Sequence, residues 1–240
     1  MKLNNNINYL DIKNIDLIYQ KKLNFISKEI EHIIDKILNK GKTEQKILVD
    51  LIIKRIIKED KEVSILDGLI FTKLIETKIP EIKTKLYQFF PNGILILKPS
   101  LKINYQPLQN LLINKDFKEA DKLTQKYLCN LVELKNKNKK NWLYFTDIQF
   151  LPLDDLFTLD LMWKIYSKGK FGFSVQKTLW IKYNCKWKQL WEKIGWTAQG
   201  IMKRYPEEFI WTIDAPKGHL PLFNQLRGTQ TLSALFKRIK

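Results

Sequence analysis

Residues 154–176 read Asp-Asp-Leu-Phe-Thr-Leu-Asp-Leu-Met-Trp-Lys-Ile-Tyr-Ser-Lys-Gly-Lys-Phe-Gly-Phe-Ser-Val-Gln. Pro152 stands just upstream and suits a helix start, Leu156, Leu159, Trp163 and Tyr166 share one helical face, and Gly169 ends the pattern. Asp154 and Asp155 favour the positive N-terminal end of such a helix, so with Asp160 they read as capping groups and not as an acid and base pair. Ser174 is placed to cap a following helix through Val175 and Trp180. The stretch Gly172-Phe-Ser174-Val-Gln176 lacks the second glycine of a nucleophile elbow.

The same helical spacing extends in both directions. Upstream, Pro107 to Ile113 reads as a short helix, and Asp116 with Glu119 opens a long one to about Lys135 whose apolar face is Ala120, Leu123, Tyr127, Leu128, Leu131 and Leu134. Residues 135–141 hold nothing to bury and read as a solvated loop. Downstream, a short helix spans about Trp187 to Ile194, and the chain then turns irregular around Gly195, Gly200, Pro206, Pro216, Gly218 and Pro221. Towards the N-terminus, one helix is expected over Ile15–Leu38, with Gly41 just past its end, and a second through Leu48, Leu51, Ile52 and Ile56. A third follows Ser64 with Asp67 as an approximate capping box, and a fourth starts at Pro80 and carries Ile82, Leu86, Phe89 and Phe90. Pro91-Asn92-Gly93 is a turn, and Ile94 to Leu97 an extended connector. Alternating strand patterns are scarce, so the expected fold class is all-α: an N-terminal helical bundle over residues 1–99 and a second helical domain with long loops over residues 100–240. All seven tryptophans fall in the second part, which marks it as the place for a flat ligand.

Composition narrows the function classes. The net charge is +17, with 18 basic against 13 acidic residues up to Pro99 and 24 against 12 beyond it. Lysine far outnumbers arginine, which fits a Lys-, Ile- and Asn-rich composition better than base readout, where the arginine fork is favoured, so no nucleic-acid partner is expected. No apolar run approaches the roughly 18 residues a membrane span needs. The start Met1-Lys2-Leu3-Asn4-Asn5-Asn6 has neither a secretory h-region nor a transit-peptide character, and Cys129 and Cys185 alone make no disulfide framework or metal knuckle, so a reducing compartment is expected. No His/Cys cluster or phosphate loop is present in the sequence, and an enzyme is not expected.

The opening stretch resembles the signature of the genomes-uncoupled-four family: a helix with Asp-x-x-Trp, here Asp160 and Trp163, leads into Tyr-Ser-x-Gly-x-Phe-Gly-Phe-Ser-Val-Gln at residues 166–176. Three further blocks are similar to that family and follow its order: residues 105–124 with Leu108, Leu111, Leu112, Ala120, Asp121 and Thr124; Gly195-Trp196; and Ala215-Pro216-Lys217-Gly218-His219-Leu220-Pro221. The resemblance covers about half the chain, and the N-terminal bundle shares only its helical character. It implies a core shaped like a cupped hand that binds protoporphyrin IX and Mg-protoporphyrin IX as ligands, without a prosthetic group, and stimulates magnesium chelatase in chlorophyll biosynthesis while catalysing nothing. The implied partner is the large porphyrin-binding chelatase subunit. The implied compartment is a plastid stroma, with loose peripheral membrane association, or a cyanobacterial cytoplasm, and the composition suits a protein encoded in an algal plastid.

A porphyrin is a large apolar disc with two propionates, so its site needs aromatic walls and a few cations at the rim. Trp196, after a glycine in a loop-rich region, is the first candidate for a ring contact, set against the ordinary fate of a buried tryptophan. Phe171 and Phe173 either line the cup or pin the turn at Gly172, with pinning favoured; Trp191 stands where the family usually has phenylalanine. Lys217 and Arg227 are candidates for the propionates, set against simple solvation, and Lys203 and Arg204 supply charge near Thr197, where the family often has a basic residue. His219 is expected to lock its loop through backbone hydrogen bonds in preference to ligating a metal. The alternative function is a helical scaffold that docks on the chelatase or another partner without binding pigment.

Overall fold

In a computed structural model the chain is described at residues 15–21, 23–136, 139, 141–222 and 229–239. It divides into two compact units, Met1–Leu95 and Ile96–Lys240.

The first unit is a helical bundle. A short helix α1 (residues 15–20) is followed by α2 (Lys28–Leu38), α3 (Lys42–Ile53) running on into a π-helical turn (Lys54–Lys58), α4 (Ile65–Ile75) and α5 (Pro80–Phe89). The single helix expected over Ile15–Leu38 is therefore two. Ser27 interrupts it in an extended conformation and accepts the Ile30 N–H to start α2, the competition with the helix that a hydroxyl offers at an N-cap. The capping box at Ser64 is complete: the Ser64 hydroxyl accepts from the Asp67 N–H, and the Asp67 carboxylate accepts from the Ser64 N–H and O–H. Asp67 is fully buried, and its other oxygen accepts from Tyr19 Oη at 2.7 Å and Arg55 Nε at 3.2 Å, while the Arg55 guanidinium lies 3.7 Å from the centre of the Tyr19 ring. One carboxylate thus ties α1, the π-helical turn and α4 together. The apolar core of this unit includes Ile34, Leu48, Ile52, Ile70, Leu74 and Leu86, all buried, with Phe71 edge-on to Phe90.

The second unit contains α6 (Gln106–Ile113), α7 (Phe117–Asn136), α8 (Leu153–Tyr166), α9 (Phe173–Lys182), α10 (Trp187–Lys193) and α11 (Thr229–Arg238). A 3-10 turn (Ile148–Phe150) precedes α8, and a two-residue hairpin, β1 (Thr197–Ala198) with β2 (Ile201–Met202), follows α10. Helix α7 begins as read, with Asp116 accepting the Glu119 N–H. Its expected apolar face is shorter, because Leu134 is 61% exposed near the helix end while Leu128 and Leu131 are buried. Among the described residues no helix is long and apolar enough to cross a membrane, and no group of three or more His, Cys, Asp or Glu side chains is arranged to hold a metal ion.

Candidate functional site

Helix α8 organises the second unit by spending its polar side chains on its neighbours. Asp155 is buried and accepts from the Lys102 N–H at 3.0 Å and Tyr105 Oη at 2.9 Å, which fixes the entry to α6. Trp163 donates its indole N–H to Thr124 Oγ1 on α7 at 3.0 Å, and Tyr166 donates to Gln109 Oε1 on α6 at 2.7 Å. The first turn of α9 is capped by α8 and not by Ser174: the Ser174 N–H donates to Asp160 Oδ1 at 2.8 Å. Ser174 was expected to be the cap; its own hydroxyl is not used so, because the helix starts one residue earlier, with Gly172 at φ 129° as the cap. A Cβ on Gly172 would meet Asp160 Oδ1 at 2.9 Å, so glycine is what lets the two elements approach.

The loop from α10 to α11 is hung on this frame. The Gly172 N–H donates to Leu220 O, the Gly218 N–H to Lys170 O, and the Gln176 amide to both Gly218 O and Pro221 O, all at 2.8–2.9 Å. His219 is fully buried; its Nδ1 lies 2.6 Å from Ile194 O and its Nε2 accepts the Ile210 N–H at 3.1 Å. That pattern requires the neutral tautomer protonated on Nδ1, and burial holds the imidazole below its ordinary pKa. At the far end of the loop the Leu222 N–H donates to Asp121 Oδ1 on α7 at 2.6 Å, and burial pushes that carboxyl up to about 8. The sequence blocks around residues 105–124, 166–176, 195–196 and 215–221 therefore meet in one interlocked structure.

The residues singled out from the sequence fall into different places in it. Trp196 is fully buried and donates its indole N–H to His219 O at 2.8 Å. Phe171 and Phe173 are also fully buried; Phe171 packs edge-on to Phe117 at 5.4 Å and against Trp163 at 6.4 Å. As folded, these three rings hold the frame and present no surface to solvent. Trp191 is half-buried, 6.3 Å from the Trp187 ring. Lys203 leaves the hairpin with its N–H bonded to Trp196 O, and exposed Arg204 has its N–H bonded to the Glu208 carboxylate. Lys217 is half-buried, and burial with the Lys182 charge holds its ammonium below the usual lysine range. Arg227 lies outside the described residues.

A cleft of about 350 Å³ opens elsewhere on this unit, lined by Phe145, by Trp187 and by Thr229, Gln230, Ser233, Ala234 and Lys237 of α11. Trp187 is stacked on Trp180 at 4.8 Å and on Phe236 of α11 at 5.9 Å. The lining thus combines aromatic rings with hydroxyls, an amide and an ammonium. Among the described residues, none of the candidates proposed from the sequence for a ring or propionate contact lines it. The available signal was the concentration of Trp180, Trp187 and Trp191 about α10, but an aromatic cluster at helical spacing reads equally as core.

Comparison with known proteins agrees with this arrangement. The sequence model of the GUN4-like family matches residues 98–239. Over 222 residues the chain is 44% identical to the Ycf53 protein of Pyropia yezoensis, covering 92% of this chain and 93% of that one. It is 37% identical over 197 residues to a Ycf53-like protein of Synechocystis, covering 82% and 83%. A shorter match, 31% over 140 residues, is to the chloroplastic tetrapyrrole-binding protein of Arabidopsis thaliana and covers 55% of this chain and 52% of that one. The structure of GUN4 from Chlamydomonas reinhardtii superposes with a TM-score of 0.53 at 39% identity, covering 60% of this chain and 93% of that chain. The second unit therefore has the helical architecture of the genomes-uncoupled-four, or GUN4, proteins. The chain belongs to the GUN4 family.

Proposed function

We propose that the protein is a non-catalytic tetrapyrrole carrier that takes protoporphyrin IX and its magnesium derivative into the cleft beside α11 and assists magnesium chelatase. The observation that carries this reading is the cleft itself: in a GUN4-family chain, its lining joins an apolar part, the Trp187 and Phe145 rings, with a polar rim of hydroxyls and the Lys237 ammonium. Such rings suit the macrocycle and such a rim suits propionates. Membership of a family with a tetrapyrrole-binding protein of Arabidopsis thaliana among its relatives supports the ligand class. Trp191 backs the aromatic wall, and Lys203, Arg204, Lys217 and Arg227 are further cations for the propionates. Trp196, Phe171 and Phe173 serve the site by keeping the loop between α10 and α11 in place. His219 has both ring nitrogens engaged by backbone groups, which leaves neither free to act as a base.

The partner in this reading is the large porphyrin-binding subunit of the chelatase. The compartment is a plastid stroma or a cyanobacterial cytoplasm, with loose membrane attachment, as the algal, cyanobacterial and chloroplastic sources of the relatives support. Residues 1–99 form the N-terminal helical domain and residues 100–240 the binding domain. Titration with deuteroporphyrin, followed by tryptophan quenching and by the porphyrin's own absorbance, tests the reading. Saturable binding that weakens about tenfold or more in Trp187→Ala, as loss of one stacking wall would give, is the expected result. Absence of any spectral change would instead leave a helical scaffold that docks on a partner without pigment.

A further inference from the structure

From Leu161 to Trp191 the chain carries seven lysines and no arginine, aspartate or glutamate. A Lys-rich composition does not by itself empty such a stretch of acids, in a chain that has 25 of them. The fold adds to the imbalance. The turn between α8 and α9 holds Lys168 and Lys170, and the Lys170 carbonyl accepts the Gly218 N–H at 2.8 Å, which brings the neighbouring Lys217 to that turn. A Cβ on Gly218 would meet Leu179 Cδ1 at 2.8 Å, so the same loop lies close against α9, whose last turn carries Lys182.

The ammoniums feel one another. Burial first, and then the Lys182 charge, hold the Lys217 ammonium below the usual lysine range; burial, helped by the Lys168 charge and opposed by Asp214, does the same to Lys170. Lys182 itself and Lys186, at the entry to α10, are exposed, and among the described residues neither has a carboxylate within ion-pairing distance. Like charges gathered in this way repel in the free chain, and a partner that brings carboxylates relieves the repulsion.

The surroundings choose among anionic partners. The stretch has no arginine, whereas base readout and bidentate phosphate contact favour the guanidinium fork. A lipid surface calls for an apolar face of several residues set into the interface. From Met162 to Ala198, however, the one exposed large apolar side chain is Ile181, at 55%. Trp180 and Trp187 are half-buried and stacked on each other at 4.8 Å. One apolar side chain among cations matches an acidic protein segment, held by a single apolar contact inside a charged rim. We infer that the turn before α9, the end of α9 and the turn into α10 form a docking surface for an acidic segment of a partner protein, with Ile181 as its apolar contact. None of Lys168, Lys170, Ile181, Lys182 and Lys186 lines the cleft beside α11, and the docking does not depend on a bound pigment.

The test is fluorescence anisotropy of a labelled peptide of glutamates around one leucine, titrated with the full chain at low and at high salt without pigment. Saturable binding that salt weakens is expected. It should fall roughly tenfold in the pair Lys182→Glu with Lys186→Glu. Lys58→Glu with Lys78→Glu, at exposed lysines of the first unit, makes the same change in net charge and should shift the affinity by less than about twofold. Lys182→Gln with Lys186→Gln repeats the comparison without placing a carboxylate at the end of α9, and circular dichroism checks that each variant is folded. Equal loss in the first-unit pair overturns the inference, because net charge alone would then carry the binding; so does an unchanged affinity in both pairs at Lys182 and Lys186. Binding of phosphatidylcholine vesicles containing phosphatidylglycerol through Lys182 and Lys186, with no binding of the peptide, also overturns it and makes the face a lipid surface.

Discussion

Trp196 shows how a residue marked by a sequence motif can be part of the frame of the fold. Its ring is enclosed and its indole N–H meets His219 O, so Trp196→Ala should cost about 3–5 kcal/mol in urea unfolding, the range for emptying a large aromatic from a core. If the residue lay in an open site instead, the loss of stability would be under about 1 kcal/mol and the loss of pigment affinity would dominate. The contrast also marks what was readable at this scale. The motif around Gly195-Trp196 pointed to an important position, but a tryptophan beside glycine looks the same whether the glycine exposes it or, as here, lets Pro216 and His219 pack closely against the glycine while the indole is buried. Trp187, the residue that faces the cleft, has no such local signature. Titration adds two opposed pH effects. His219 is kept neutral by burial, so its contribution to stability is present above the unfolded histidine value of about 6.5 and is lost as pH falls below it. Asp121 is raised to about 8, so the folded chain binds the proton more tightly than the unfolded one; its contribution is full below about 4 and is lost as pH rises towards about 8. Asp121→Asn should therefore flatten the decline in stability between pH 5 and pH 8, and an unchanged slope would remove Asp121 as its source.

At the level of elements, the caps carry the predictions. Asp160 starts α9 from a different helix, so Asp160→Ala should lower stability by about 1–2 kcal/mol, the size of an N-cap loss, whereas Ser174→Ala, whose hydroxyl does not cap, should cost less than half of that in the same chemical denaturation. Leu134→Lys, on the exposed end of α7, should stay within about 0.5 kcal/mol of the wild type. Helix existence was plain in the three- and four-residue spacing from Leu48 to Tyr166, and so was the Ser64 capping box. What misled was chiefly long-range competition. The break at Ser27 is local, an N-cap masked by the apolar spacing on either side, but the capping of α9 by Asp160 depends on a partner from another helix that spacing alone cannot reveal. The cleft was hidden for the same reason, since Phe145, Trp187 and Ser233 are spread over about 90 residues of chain and meet only through the fold.

On the scale of the whole molecule, the two compact units have separate interior networks, Asp67 with Arg55 and Tyr19 in one, and the frame of α8 with the loop that follows α10 in the other. The chain in the Chlamydomonas GUN4 structure matches 60% of this chain yet 93% of its own, so that chain is of about the size of the second unit. A fragment of residues 96–240 is accordingly expected to unfold cooperatively, with native helical content by circular dichroism, and a broad non-cooperative transition would show that it needs the first unit. The central claim, a tetrapyrrole seated against α11, is tested most directly by hydrogen–deuterium exchange of the full chain with and without magnesium deuteroporphyrin. Slower exchange concentrated in residues 229–238, with residues 187–193 and 143–150, is the predicted result; protection confined to residues outside those segments, with α11 unchanged, would contradict it.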